Sequence, residues 1–401
     1  MKTFNLDANA TYGIEPCLYS HVSSRLDGAL NPSSVHRGGQ KARALIEEAR
    51  LSLKEAVGVG HDSRVIFTSG ATEANNLALF GTLYNYELTN KQSPHNQLVL
   101  SALEHPSVIE PALELRRKGV GVEIISPSVG GALSAEKFLD VVSSDTRLVS
   151  IMLANNETGE IFPVSEISRT LKGQYPNILI HCDAVQAFGK LPISFDELEV
   201  DLMSISAHKI GAFLGVGALI ANKKIDLKPM IVGGAQEIRL RAGTENLPGI
   251  VAFGIQAKKV VNSLDARIEK MKSSSELFWE RLKPIHDSVI INNFGNKVIP
   301  NTLSVSVPGI RADDLVIALD LRGVFISTGA ACSSGKQEPS HVLLAKGFSE
   351  QEARETVRIS FPHSLTEEEV IECAEIFASV IEQMSPSKFQ ENINSNVAIN
   401  A

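Results

Sequence analysis

The sequence predicts an α/β protein with a mainly parallel sheet covered by helices on both faces, and three observations carry that expectation. Residues 64–68, 98–100, 178–182 and 200–205 are short, nearly continuous apolar runs, as strands buried on both faces must be. Amphipathic helical stretches such as residues 40–50 separate runs of this kind between about residues 16 and 260. Each of the four runs also ends on polar or small residues, and ligands in open α/β sheets bind outside the carboxyl ends of the strands.

The run 64–68 leads into Ser69-Gly70-Ala71-Thr72-Glu73 and then a helical stretch from Ala74. Small residues at a helix start expose backbone N–H groups. The turn is therefore either an anion site suited to phosphate or a plain Ser/Thr cap with Glu nearby. The run 98–100 is followed by Ser101-Ala102-Leu103-Glu104-His105-Pro106, where the His105 imidazole can stack on a flat heteroaromatic ring or be a satisfied structural histidine. The run 178–182 delivers Asp183 and then Gln186. A carboxylate there suits a protonated pyridine nitrogen, the alternative being a helix cap.

The run 200–205 closes on Ser206-Ala207-His208-Lys209. A lysine ammonium titrates near about 10.4 in water and is costly to desolvate, so a lysine at a buried strand end has a carboxylate partner, reaches back to solvent, or serves chemistry such as holding an aldehyde cofactor as a Schiff base. Farther on, Cys332 sits in Ser327-Thr328-Gly329-Ala330-Ala331-Cys332-Ser333-Ser334-Gly335. A loop of Gly, Ala and Ser can move, which a nucleophilic thiolate that collects and hands on a group requires; a buried small hydrophobe is the other reading.

After a helical stretch predicted over residues 249–281, strands near 302–307 and 357–361 predict a smaller α+β domain. The expected boundaries are a cofactor domain over 16–260, a small domain from 1–15 and 261–385 that carries Cys332, and a polar, frayed tail over 386–401. With 38 Lys+Arg against 46 Asp+Glu the net charge is −8, which argues against direct nucleic-acid or acidic-membrane partners. The four cysteines, Cys17, Cys182, Cys332 and Cys373, show neither disulfide nor zinc spacing and read as free thiols in a reducing, cytoplasmic compartment; no metal is expected. The N-terminal residues lack a leader pattern, and the longest uncharged apolar stretch, 210–221, is too short and glycine-rich to span a bilayer.

Taken in order, these segments resemble the cysteine desulfurases of the NifS/IscS type, pyridoxal-phosphate enzymes of fold type I in the class V aminotransferase family. The resemblance runs through Leu6-Asp7-Ala8-Asn9-Ala10-Thr11, Asn31-Pro32-Ser33-Ser34-Val35-His36, residues 69–76, Glu104-His105, Asn155-Asn156-Glu157-Thr158-Gly159, His181 to Gln186, Ser206 to Lys209, Arg241-Ala242-Gly243-Thr244-Glu245-Asn246 and the Cys332 loop. It implies conversion of L-cysteine to L-alanine, with sulfur held as a Cys332 persulfide for an acceptor in iron–sulfur assembly or thiolation. Lys209 would be the Schiff-base lysine and acid/base, Asp183 the partner of the pyridine nitrogen, and His105 the stacking ring. Gln186 and Asn155 would bond the ring hydroxyl. Thr72, Ser206, His208 and the Ala71 backbone would hold the phosphate, and Thr244 would reach the phosphate of a second subunit, making a homodimer. Arg358, with Asn155 beside it, would take the substrate carboxylate, which suits arginine's fork better than lysine; a surface strand residue is the alternative.

The chain departs from the family pattern after Lys209, where Ile210-Gly211-Ala212-Phe213-Leu214-Gly215 replaces a Tyr-Gly-Pro-Lys-Gly type of turn and lacks its basic residue. Asn9-Ala10-Thr11-Tyr12 and the Cys332 loop also vary, without loss of a catalytic group. Alternatives within the fold are a selenocysteine lyase or another class V aminotransferase or lyase; outside it, a catalytically weak sulfur carrier or assembly subunit.

Overall fold

Apolar strands that are buried on both faces dominate the larger part of the chain. The computed structural model describes residues 2–28, 30–60, 62–89, 96–128, 132–283, 289–292, 297–328 and 338–384. It has two units: Thr11–Asn155 with Ile161–Leu264, and Met1–Ala10 with Asn156–Glu160 and Asp265–Ala401. Cys332 and the expected tail lie outside the described residues.

The first strand, β1 (Phe4–Asn5), belongs to the second unit. The larger unit begins with α1 (Pro16–Arg25) and α2 (Arg37–Ala56). Its sheet contains β2 (Ser63–Thr68), β3 (Gln97–Ser101), β4 (Gly121–Ile125), β5 (Thr146–Ser150), β6 (Leu179–Asp183), β7 (Leu202–Ser206) and β8 (Gly217–Asn222), in the order β2-β8-β7-β6-β5-β3-β4. Only β8 runs against its neighbours, so β2 and β7 deliver their carboxyl ends to the same edge as β3, β5 and β6. The sheet is mainly parallel, as the sequence predicts.

Helices α3 (Ala71–Thr89), α4 (Pro106–Arg117), α5 (Ala135–Leu139) and α6 (Val164–Gln174) alternate with these strands. Ile66, Leu77, Leu98, Leu100, Leu148, Leu202 and Leu219 form one core cluster beside the sheet. Each such side chain contributes about 1.5–3 kcal/mol of burial free energy, which is what fixes the strand ends in place. The helical stretch predicted over 249–281 is two helices, α7 (Leu247–Asn262) and α8 (Leu264–Leu282). The helical dihedrals break at Ser263, where φ is −120° and the backbone N–H turns back to Val260 O.

The second unit holds an antiparallel sheet of β9 (Ile290–Ile291), β10 (Thr302–Ser306) and, after α9 (Ala312–Asp320) and β11 (Val324–Phe325), β12 (Thr356–Ser360), in the order β12-β10-β9. β1 pairs in parallel with β11. Helices α10 (His341–Ala345), α11 (Glu350–Arg354) and α12 (Glu367–Met384) complete it around Leu6, Phe278, Val305, Leu315, Ile359, Phe361 and Phe377. Residues 156–160 are fastened into this unit. Ser340 Oγ bonds Glu157 Oε2, and Lys346 Nζ meets Glu160 at 2.8 and 2.9 Å with both side chains fully buried. Among the described residues no helix is long and apolar enough to cross a membrane.

Candidate active site

The larger unit gathers five strand ends at one edge, and hydrogen bonds between their polar residues define the site. Asp183 ends β6 with only 5% of its surface exposed. Its Oδ1 accepts the Val185 N–H at 3.0 Å, and its Oδ2 accepts Nδ2 of Asn75, on α3, at 2.8 Å. The same Asn75 nitrogen reaches Ser107 Oγ at 2.8 Å, and Ser107 Oγ lies 2.8 Å from His105 Nδ1. His105 is a satisfied histidine, as one of the two sequence readings has it. It caps α4, accepting the Ser107 N–H at 3.0 Å, and it stays half-buried at the site.

Electrostatics separate Asp183 from its neighbours. Glu104 is fully buried; burial first, and then the Asp183 charge, push its carboxyl well above the usual carboxylate range, while its Oε1 accepts the Met152 N–H at 2.6 Å. His181 is fully buried between Ser150 and Ser204, and burial lowers it to about 4 although Asp183 opposes this. Burial, then Asp183 and Glu104, raise the Cys182 thiol, which disfavours its thiolate.

The candidate anion cradle is built where β2, β7 and β8 meet. Ser206 is 1% exposed and starts the 3₁₀ turn Ala207–Ile210, yet its hydroxyl makes no cap bond and has no hydrogen-bond partner among the described residues. Gly217 pairs with Ser206 on one side and Thr68 on the other. A Cβ on Gly217 would stand 2.5 Å from the Gly70 carbonyl carbon and 2.9 Å from Ala71 N, so only glycine lets this backbone pass. Ala71 and exposed Thr72 begin α3. Glu73 anchors that turn by accepting the Ser69 N–H at 2.8 Å and pairing with Arg241 at 2.9 and 3.3 Å. Burial alone would raise its carboxyl, but Arg241 and Ser69 outweigh that and lower it.

Lys209 and His208 follow on the same turn, both half-buried. Burial, aided by the Lys209 charge, lowers His208 to about 4, and its Nδ1 lies 3.3 Å from Thr11 Oγ1. A neutral imidazole, an orphaned buried hydroxyl and backbone N–H groups at a helix start suit a phosphate; Asp183 suits a protonated ring nitrogen, and Lys209 an aldehyde. The residues present thus fit pyridoxal phosphate. Gln186 is buried with Oε1 on Lys190 Nζ at 2.6 Å, and buried Asn155 gives Nδ2 to Leu103 O and Met152 S.

Thr244 is exposed and lines a cavity of about 180 Å³ with Ser69, Gly215, Glu237 and Arg241. Beside it, Glu237, Ile238 and Arg239 all take positive φ, held by the Arg50 fork on Glu237 at 2.9 and 2.9 Å. In the second unit Arg358 is 3% exposed rather than a surface strand residue. Its Nη2 pairs with Asp7 at 2.5 Å, its Nη1 donates to Asn156 O at 3.0 Å, and its Nε has no partner among the described residues. The altered turn after Lys209 buries Ile210 and Ala212, exposes Leu214, and sets the Phe213 ring 5.0 Å from that of Tyr19. Sequence reasoning missed Asn75, Ser107, Lys190 and Gly217. The one available signal was an asparagine among apolar residues on α3.

Comparison with known proteins follows the same lines. The family described as Aminotransferase class-V matches residues 4–372. The chain is 36% identical over 367 residues to the cysteine desulfurase IscS of Dictyoglomus turgidum, covering 91% of both chains. A solved NifS-like protein superposes with a TM-score of 0.86 at 32% identity, over 95% of this chain and 99% of its own. SspA, solved in complex with cysteine, superposes with a TM-score of 0.79 at 29% identity, over 91% and 100%.

Proposed function

The chain belongs to the class-V aminotransferase family and is a pyridoxal-phosphate-dependent cysteine desulfurase, and from that premise we propose how its residues divide the work. The convergence of Asp183, His105, Ser206 and Lys209 at one sheet edge carries the reading. Pyridoxal phosphate, when bound, supplies a sink for the electrons left when a proton leaves the substrate α-carbon. Ser206, His208, Thr72 and the Ala71 N–H hold its phosphate. Asp183, kept in place by Asn75, holds the proton on the ring nitrogen, Gln186 and Asn155 face the ring oxygen, and His105 stacks on the ring. The Lys209 amine would hold the cofactor through its aldehyde and would serve as the acid/base that takes the proton from the substrate α-carbon.

Arg358 takes the carboxylate of L-cysteine, and its Nε, without a partner among the described residues, supports this, because a carboxylate would satisfy it. Cys332 Sγ, as thiolate, bonds the substrate sulfur while the Cβ–S bond breaks. Cβ then takes a proton and leaves as alanine, and the persulfide passes to an acceptor protein in iron–sulfur assembly or thiolation. A homodimer, with Thr244 reaching a second subunit's phosphate, is supported by exposed Met230, Ile231, Val232 and Ile238 flanking that segment. A cytoplasmic site of action fits the exposed free thiol of Cys17 and the buried thiols of Cys182 and Cys373.

The test adds L-cysteine and a thiol reductant to the purified protein and measures sulfide and alanine together. Equal yields, both lost in Lys209→Ala and Cys332→Ala, are expected; alanine formation that survives Cys332→Ala would overturn the persulfide role.

A further inference from the structure

Just past β6 the chain buries a lysine. Lys190 is 1% exposed, and its Nζ donates to Gln186 Oε1 at 2.6 Å, a short, charge-assisted bond from four residues on. Gly189, at φ +80°, makes the turn possible, since a Cβ there would come within 2.8 Å of Ile210 and 3.0 Å of Val260. A buried ammonium costs several kcal/mol unless acceptors surround it, so its position is not incidental. It also has only donors. Of the two ends of the Gln186 carboxamide, the oxygen must therefore face Lys190 and the NH₂ must face away.

We propose that Lys190 is a positioning residue that fixes the amide orientation of Gln186, so that Gln186 Nε2 donates to the ring oxygen of bound pyridoxal phosphate. The inference rests on the Gln186 assignment above. Without a fixed partner a glutamine amide can present either end, and an oxygen turned toward the ring would repel the ring oxygen instead of holding it. The Lys190 charge on the amide oxygen also polarises the group and strengthens its N–H as a donor. A donor to the ring oxygen disfavours proton uptake there, so its loss moves the pH midpoint of the holoenzyme's visible absorbance upward.

The experiment titrates that absorbance against pH in holoenzyme of the wild type, Lys190→Met, Gln186→Ala and the double variant. Each single substitution is expected to raise the midpoint by roughly half a unit to one unit, and the double variant no further than Gln186→Ala, because both act on one bond. Lys190→Arg, which keeps a donor-only cation, should return the midpoint toward that of the wild type. A wild-type midpoint in Lys190→Met beside a raised one in Gln186→Ala overturns the positioning role alone. An unmoved midpoint in Gln186→Ala overturns the Gln186 assignment and the inference with it. Should Lys190→Met fail to load cofactor, Lys190→Leu, which also has no donor for Gln186 Oε1, must show the upward shift instead.

Discussion

Adding one methyl group at Gly217 tests whether the anion cradle depends on backbone approach. The new Cβ of Gly217→Ala would lie 2.5 Å from the Gly70 carbonyl carbon, 2.8 Å from Gly70 Cα and 2.9 Å from Ala71 N, all backbone atoms that cannot rotate away. Carbon pairs rest at about 3.5 Å, so the turn must retreat by about 1 Å. Overpacking of this kind costs about 1–3 kcal/mol of stability. The functional loss is expected to be sharper, because an N–H moved by about 1 Å leaves hydrogen-bond range of a phosphate oxygen. Losing one or two such bonds to a charged group, at about 1.5–3 kcal/mol each, weakens binding of pyridoxal phosphate to the apoprotein by at least about tenfold. Fluorescence titration of the apoprotein measures this. Gly173→Ala on α6 is the control, because nothing lies within 4 Å of its Cβ and removing a helix glycine should stabilise by about 0.4–1 kcal/mol. Wild-type cofactor affinity in Gly217→Ala would refute the cradle.

Other substitutions test the supports separately. Asn75→Ala removes one bond to a carboxylate and one to a hydroxyl, and should cost about 2–4 kcal/mol in urea unfolding of the apoprotein; a loss below about 1 kcal/mol would mean that Asp183 is held by other means. Lys346→Met strands buried Glu160 and should cost about 3–5 kcal/mol, whereas Lys346→Met with Glu160→Leu should recover most of it; an additive double variant would contradict the pairing. His181 binds its proton near pH 6.5 when unfolded and near 4 when folded. The unfolded state therefore holds more protons between those values, and stability present above pH 6.5 falls by about 3 kcal/mol as the pH drops to 4. His181→Gln should flatten that slope in unfolding measured at successive pH values, and an unchanged slope would assign the acid sensitivity to other groups.

The strands were legible because burial on both faces leaves a one-dimensional mark: β2, β3, β6 and β7 fall within a residue or two of the apolar runs. The reversed strand β8 left no such mark, because its apolar run reads the same in either direction and continues the glycine-rich turn after Lys209. The break at Ser263 was hidden because polar serine is compatible with a surface helix position, and nothing in the run 249–281 forbids continuation. Strand-end groups such as Asp183 and Lys209 were visible from their position alone. Their holders were not, because Asn75 lies 108 residues from the carboxylate that it serves, and Gly217 meets Gly70 only across the sheet.

What the fold adds to these residue types is a choice between chemically similar groups. Glu104 and Asp183 are both carboxylates at strand ends on the same edge of the sheet, with β5 between their strands, and both are nearly or fully buried. Asp183 receives donors on both oxygens, one from Asn75 and one from the Val185 backbone. Glu104 receives the Met152 N–H on one oxygen and is pushed toward its neutral form by burial and by Asp183 itself. His181, sandwiched between two serine hydroxyls and driven neutral by burial, adds no positive charge that would compete for Asp183. The donors that hold Asp183 thus come from an asparagine on another element and a backbone amide, not from the strand that carries it.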